Sequence, residues 1–171
     1  MLVMETIIHN HGCVLSSASF IDVVSLAGGA SDAFVVRILE GAGFIGLRVR
    51  HGYVFQRLLV APSSISELAR DLGVTQQAMS KTIAELTSLG YVEASADPAD
   101  ARRRVVVLSD RGHGAVRAAR EARRLLEARV IGVVGAQQVR AARETLDALL
   151  EELGLGQRVG AREAPIPLPS D

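Results

Sequence analysis

Four polar side chains, Gln76, Gln77, Ser80 and Lys81, fall within the run QQAMSK at spacings that put them on one side of a helix. A carboxamide can pair with the edge of an adenine through two hydrogen bonds. A hydroxyl gives or takes one bond, and an ammonium neutralises a phosphate. Further on, Arg102, Arg103 and Arg104 stand in a row, and guanidinium forks suit phosphate oxygens. Together these residues have the chemistry to read and hold a polyanionic groove. A second cluster, His9, His11 and Cys13 in the order H-x-H-x-C, could hold a metal weakly or present a thiol. Nothing elsewhere completes a metal site, so a frayed terminus is the preferred reading there.

The elements that must position the first set lie between Ser64 and Leu108. Ser64 stands at an N-cap position with Glu67 three residues on, the spacing of a capping box. Ile65, Leu68, Ala69 and Leu72 follow on one face, and Gly73 ends that helix. Val74 anchors the turn, and Thr75 is the N-cap of the next helix. In that helix Met79, Ile83 and Leu86 face inward, leaving Gln76, Gln77, Ser80 and Lys81 outward, before Gly90 stops it. The period then changes. Tyr91 to Ala96 and Arg103 to Leu108 are expected strands. Asp97 to Arg102 is a turn by composition. Two helices, a tight turn and a basic-tipped hairpin describe a winged helix-turn-helix.

This run resembles the MarR family of bacterial transcription regulators. The resemblance rests on S-x-x-E-L-A-x-x-L-G-V-T, on L-x-x-L-G-Y-V-E, on the wing D-P-A-D-A-R, and on V-V-V-L-S-D-R-G entering the next helix. It extends from about Gly43 to about Gly154 and fades before that. It implies a mainly α fold with a two-stranded β-wing and N- and C-terminal dimerisation helices. It further implies a homodimer bound to double-stranded DNA at a pseudo-palindromic operator, acting as a repressor. On that basis Thr75, Gln76, Gln77, Ser80, Lys81, Arg102, Arg103 and Arg104 are the expected DNA contacts, with Asp100 bracing Arg102. The resemblance also implies release by a small aromatic effector, in a cleft drawing on Phe44, His51, Phe55 and the start of the Ser109 helix. Thiol-based redox sensing through Cys13 is the alternative. So is a protein-interaction module without DNA binding, although the polar outer face and the basic wing speak against that.

Composition bounds these readings. The chain has 171 residues, 49% of them hydrophobic, enough for one domain with a core. Formal net charge is +0, yet arginines cluster at the wing and at Arg117, Arg120, Arg123 and Arg124, while acids gather at Glu144, Asp147, Glu151 and Glu152. A neutral total with a local basic patch is compatible with phosphate binding. The single cysteine excludes a disulfide framework within one chain. No apolar run has the roughly 18 residues of a membrane span, and a basic leader is missing, so a cytoplasmic location without membrane contact is expected. No phosphate loop, metal-binding His/Cys set or Ser/His/Asp constellation is present, so neither a catalytic role, a cofactor nor a metal is expected.

The remaining segments divide the chain into 1–60 (supporting helices), 61–109 (winged helix-turn-helix), 110–155 (C-terminal helices) and 156–171 (a Pro-rich tail expected to lack order). Val14 to Leu39 is expected as one helix weakened at Gly28-Gly29 or as two with a bend. Leu47 to Leu59 forms the next helix, with Leu47, His51, Val54, Phe55 and Leu58 on one face. His51 therefore points at a core or interface. A packed, hydrogen-bonded histidine is the preferred reading, and a pH-sensitive contact is the other. Ser109 caps a helix to about Val134, in which Gly112 and Gly114 are expected to loosen the first turn. Its arginines form a solvated stripe, with Arg111 a candidate flanking DNA contact. Gln137 to Leu153 closes the fold. Its stripe of Val139, Ala142, Leu146, Leu149, Leu150 and Leu153 is expected to pack on the first helix and a second subunit.

Overall fold

The computed structural model describes residues 17–96 and 104–155. Within them the order is α1 (Phe20–Gly41), α2 (Val49–Val60), α3 (Ile65–Asp71), α4 (Gln76–Ser88), β1 (Val92–Ala96), β2 (Arg104–Leu108), α5 (Asp110–Val134) and α6 (Ala136–Glu152). The architecture is mainly helical with one small wing sheet, as the sequence implies.

The chain divides into two compact parts between Phe34 and Val35, inside α1. In the first part Ser19 opens the helix, its hydroxyl accepting from the Asp22 amide at 3.2 Å and donating to the Asp22 carboxylate at 2.7 Å. That carboxyl is held below the usual range by the side-chain and backbone hydrogen bonds from Ser19. Gly28 and Gly29 do not break α1, which runs through both as one helix. Each has open space where a β-carbon would stand, so neither marks a close approach. Phe20, Ile21, Val23 and Leu26 are exposed on this segment.

The second part holds the core. Val54, Phe55 and Leu58 of α2, Leu68 of α3, Met79, Ile83 and Leu86 of α4, Tyr91 and Val92 at the wing root, and Val105 and Val106 of β2 are all buried. Burying such a side chain contributes about 1.5–3 kcal/mol each, before the entropy of ordering is charged against it. β1 and β2 pair antiparallel from Val92 opposite Leu108 to Ala96 opposite Arg104. A third strand-like contact escapes the sequence reading. Ser63, before α3, exchanges both backbone hydrogen bonds with Val106, at 2.8 and 3.2 Å. This ties the entrance of the helix-turn-helix to the wing.

α5 begins on that core and then leaves it. Gly112, Ala115, Val116 and Ala122 are its buried residues, whereas Arg117, Arg120, Arg123 and Arg124 are exposed, the solvated stripe that was expected. Gly135, at φ +88, turns the chain into α6. No residue of α6 is buried in the single chain, and Leu146 is exposed.

Two expectations for α5 are corrected. Gly112 does not loosen the first turn. It is buried, and a β-carbon on it would overlap the Tyr91 carbonyl oxygen and approach Leu108 Cδ2 to 3.0 Å. Gly114 likewise lies against the Phe44 ring, whose atoms would stand 3.3 Å from an added β-carbon. Both glycines allow close packing.

Candidate nucleic-acid interface

The two helices of the motif are set by their caps. The Ser64 hydroxyl accepts from the Glu67 amide at 3.3 Å, and the Glu67 carboxylate accepts from the Ser64 amide at 2.8 Å. This is the reciprocal capping box that the sequence spacing implies. Gly73 takes φ +70 and ends α3, where a β-carbon would be strained. Thr75 then caps α4, its hydroxyl accepting from the Ala78 amide at 3.1 Å. These caps fix which way α4 faces. Met79, Ile83 and Leu86 go inward, and Gln76, Gln77, Ser80 and Lys81 are all exposed on its opposite side. The first turn also carries the partial positive charge of a helix N-terminus, which adds to Lys81. Such a face can present hydrogen-bond donors, one acceptor amide per glutamine and one full positive charge to a polyanion.

α2 holds both motif helices from behind through ion pairs that periodicity could not reveal. Arg57 donates from Nε to the Asp71 carboxylate of α3 at 2.6 Å. That bond, with Arg70 adding less, keeps the Asp71 carboxyl below the usual range despite partial burial. On the other motif helix, Glu85 of α4 meets Arg48 at 3.1 Å and Arg50 at 3.3 Å. The Nε2 of His51 lies 3.6 Å from the same carboxylate.

The wing is placed as far as its strands. Arg104 is exposed at the last pair of the sheet, opposite Ala96. The expected tip residues Asp100, Arg102 and Arg103 lie outside the described residues, as do Cys13, His9 and His11. Among the described residues no cluster of three His, Cys, Asp or Glu side chains is placed to hold a metal.

Arg111, the candidate flanking DNA contact, is exposed and also braces the neighbouring elements. Its guanidinium lies 4.9 Å from the Tyr91 ring centre and 5.8 Å from that of Phe44. Its Nη2 donates to the Gly43 carbonyl at 2.8 Å. Tyr91, fully buried, donates its hydroxyl to the Ile45 carbonyl at 2.9 Å. The loop before α2, the wing root and the head of α5 are thereby pinned together.

The three residues drawn from the resemblance as an effector cleft have different neighbours. Phe44 is half-buried against Gly114 and Arg111. Phe55 is buried with its ring centre 6.0 Å from that of Tyr91. His51 is fully buried. Its Nδ1 accepts from the Arg48 amide at 3.2 Å, closing the first turn of α2, while its Nε2 has no hydrogen-bond partner. The packed reading of His51 thus holds for one nitrogen and not for the other.

A capped helix pair with a polar outer face, followed directly by a two-stranded wing, defines a winged helix-turn-helix protein. Residues 45–103 match the model of the MarR family. Solved structures agree in fold. The chain is similar to a MarR-family transcriptional regulator from Rhodococcus sp. RHA1, at 21% identity and TM-score 0.53, over 78% of this chain and 97% of that one. It is similar to the YusO protein from Bacillus subtilis, at 15% identity and TM-score 0.61, over 75% and 90% of the two chains. It is also similar to the transcriptional repressor CouR, solved bound to a 23-mer DNA duplex, at 18% identity and TM-score 0.59, over 82% and 96%. No curated protein matches the chain in sequence. No helix among the described residues is long and apolar enough to cross a membrane.

Proposed function

We propose that this chain is a DNA-binding transcriptional regulator. It acts as a homodimer on a pseudo-palindromic operator, as a repressor released by a small aromatic ligand. The observation that carries the reading is the exposed face of Gln76, Gln77, Ser80 and Lys81 on a helix whose other side is locked into the core. That is the presentation a recognition helix needs in a major groove. The solved complex of CouR with a DNA duplex supports the same use of the fold. Two copies would set their α4 helices in successive grooves about one helical turn apart, roughly 34 Å.

Dimerisation is supported by apolar surface left open on the single chain. α6 buries none of its residues, and Val133, Val134, Leu146 and Leu153 are exposed. Phe20, Ile21, Val23 and Leu26 are open on α1. Of the proposed effector contacts, Phe44 has surface to offer a ligand, while His51 and Phe55 would respond from beneath. The wing contact falls to Arg102, flanked by Arg103 and Arg104.

The test is binding to duplex from the region upstream of the protein's own coding sequence, across a salt series, beside Arg102→Ala. The expected result is tight binding with a steep negative salt slope, weaker and less steep in the variant. Salt-dependent binding to no duplex at all would favour a protein-interaction role.

A further inference from the structure

His51 meets Glu85, beside Arg48 and Arg50, where α2 faces the helix that carries Gln76 to Lys81, and three features make that contact sensitive to protons. First, His51 is fully buried. Second, its Nδ1 is already used as an acceptor by the Arg48 amide. The neutral ring therefore carries its proton on Nε2, which points at Glu85 Oε2 from 3.6 Å without bonding to it. Third, that carboxylate is shared with Arg48 and Arg50. One carboxylate faces two guanidiniums and an imidazole N–H, and it satisfies the imidazole least.

A second proton on the ring has one place to go, Nδ1. There it would meet the Arg48 N–H head-on, and the cap of α2 would be lost. The new imidazolium would at the same time draw Glu85 away from the two arginines. Both changes act on the seating of α4 against α2. We propose that His51 is a proton-operated latch: neutral, it caps α2 and leaves Glu85 to Arg48 and Arg50, and protonated, it releases the cap, recruits Glu85 and shifts the DNA-reading helix.

The charged groups acting on His51 are Glu85 from α4 and Arg50 and Arg48 from its own helix. β2 and α5 also pack on α2 and add no charged group to that set. Burial, opposed by Glu85 and reinforced by the two arginines, holds the ring below its ordinary value of 6.5. The latch therefore stays neutral at neutral pH and is released only on acidification below that ordinary value.

The DNA readout rests on the proposed function, so the test includes one that does not. His51→Gln is the informative variant. Glutamine at this position of a first turn can accept the N-cap amide as histidine does, yet it does not titrate. The full-length protein is followed by NMR from about pH 8, above the range in which an unperturbed histidine titrates, down to the lowest pH at which it remains folded. The Arg48 amide is expected to move with the His51 ring, and to stay put in His51→Gln. Over the same range the wild type is expected to lose about fivefold or more in duplex affinity relative to the variant, the scale of ordinary coupling between sites. Glu85→Gln should drive the His51 midpoint lower still. An Arg48 amide that ignores the His51 titration would overturn the latch, as would parallel pH profiles for wild type and His51→Gln. Absence of duplex binding at every pH would overturn the DNA-binding reading instead, and the Arg48 amide would still decide the latch.

Discussion

Gly112 of α5 packs directly on the Tyr91 carbonyl, closer than any side chain would permit. The helix can take this position because Ser109, its N-cap, is held there as well. The Ser109 amide donates to the same Tyr91 carbonyl at 3.1 Å, and its hydroxyl donates to the Gly90 carbonyl at 2.6 Å while accepting from the Gly112 amide at 3.1 Å. The wing root and α5 are therefore one joint. Gly112→Ala should cost about 1–3 kcal/mol, the usual range for overpacking a closed site, while Gly28→Ala should cost nothing or stabilise slightly, because α1 is open there. Thermal unfolding of the two variants against wild type would decide it. An unchanged midpoint for Gly112→Ala would mean that α5 does not sit on Tyr91 as described.

The same joint shows what could and could not be read from the sequence. The caps at Ser64, Thr75 and Ser109 and the helix ends at Gly73 and Gly90 were legible because capping is local: a residue three positions away supplies the partner. The inward set of Met79, Ile83 and Leu86 was legible because burial follows the helical period. The bracing contacts of Arg111 were not legible because its partner Gly43 lies 68 residues away. Gly112 was misread because glycine at a helix start signals looseness locally and close packing only in three dimensions. The links from α2 to Asp71 and Glu85, and the Ser63 pairing with Val106, left no periodic signal.

Arg111→Gln should weaken the protein by about 1 kcal/mol, the order of one cation–π contact and its hydrogen bond near a surface. If it acts only as a brace, the salt slope of duplex binding should be unchanged. A direct phosphate contact would lower that slope by about one. Measuring both quantities on one variant separates the two roles, and a reduced slope with unchanged stability would make Arg111 a DNA contact rather than a brace.

Thr75→Ala removes the side-chain acceptor at the start of α4 and should cost about 0.5–2 kcal/mol of stability. Thr75→Ser keeps the oxygen and should cost little. Equal losses in both variants would show that the methyl group rather than the cap matters at this site.

Stability should depend on His51 with a definite sign. Its folded value lies below 6.5, the value an unfolded histidine approaches. The folded state thus binds the proton less well than the unfolded chain does. The contribution is fully present above about pH 6.5 and is lost as pH falls through the folded value. Urea midpoints measured down a pH series should decline in that window for wild type and stay flatter for His51→Gln. Asp71, held low mainly by Arg57, adds a second decline of the same sign below its ordinary 3.8. A wild-type profile that rises on mild acidification would mean that Glu85 outweighs burial and that the imidazolium is the preferred buried form.

The outer face of α4 divides into a residue that should read sequence and one that should not. Gln77 and Lys81 are both exposed, and neither supports the core, so their replacement should leave the unfolding midpoint unchanged. Lys81→Ala removes a point charge that any duplex can use. Affinity should fall equally for operator and random DNA, with the salt slope reduced by about one. Gln77→Ala removes a carboxamide that pairs with particular base edges. It should cost about 1–3 kcal/mol of discrimination between operator and mismatched duplex and leave the slope alone. Titrations of both variants on both duplexes at two salt concentrations give eight affinities for these two claims. If Gln77→Ala weakened all duplexes equally, or Lys81→Ala changed preference without changing the slope, this face of α4 would not lie in a major groove with its N-terminus foremost.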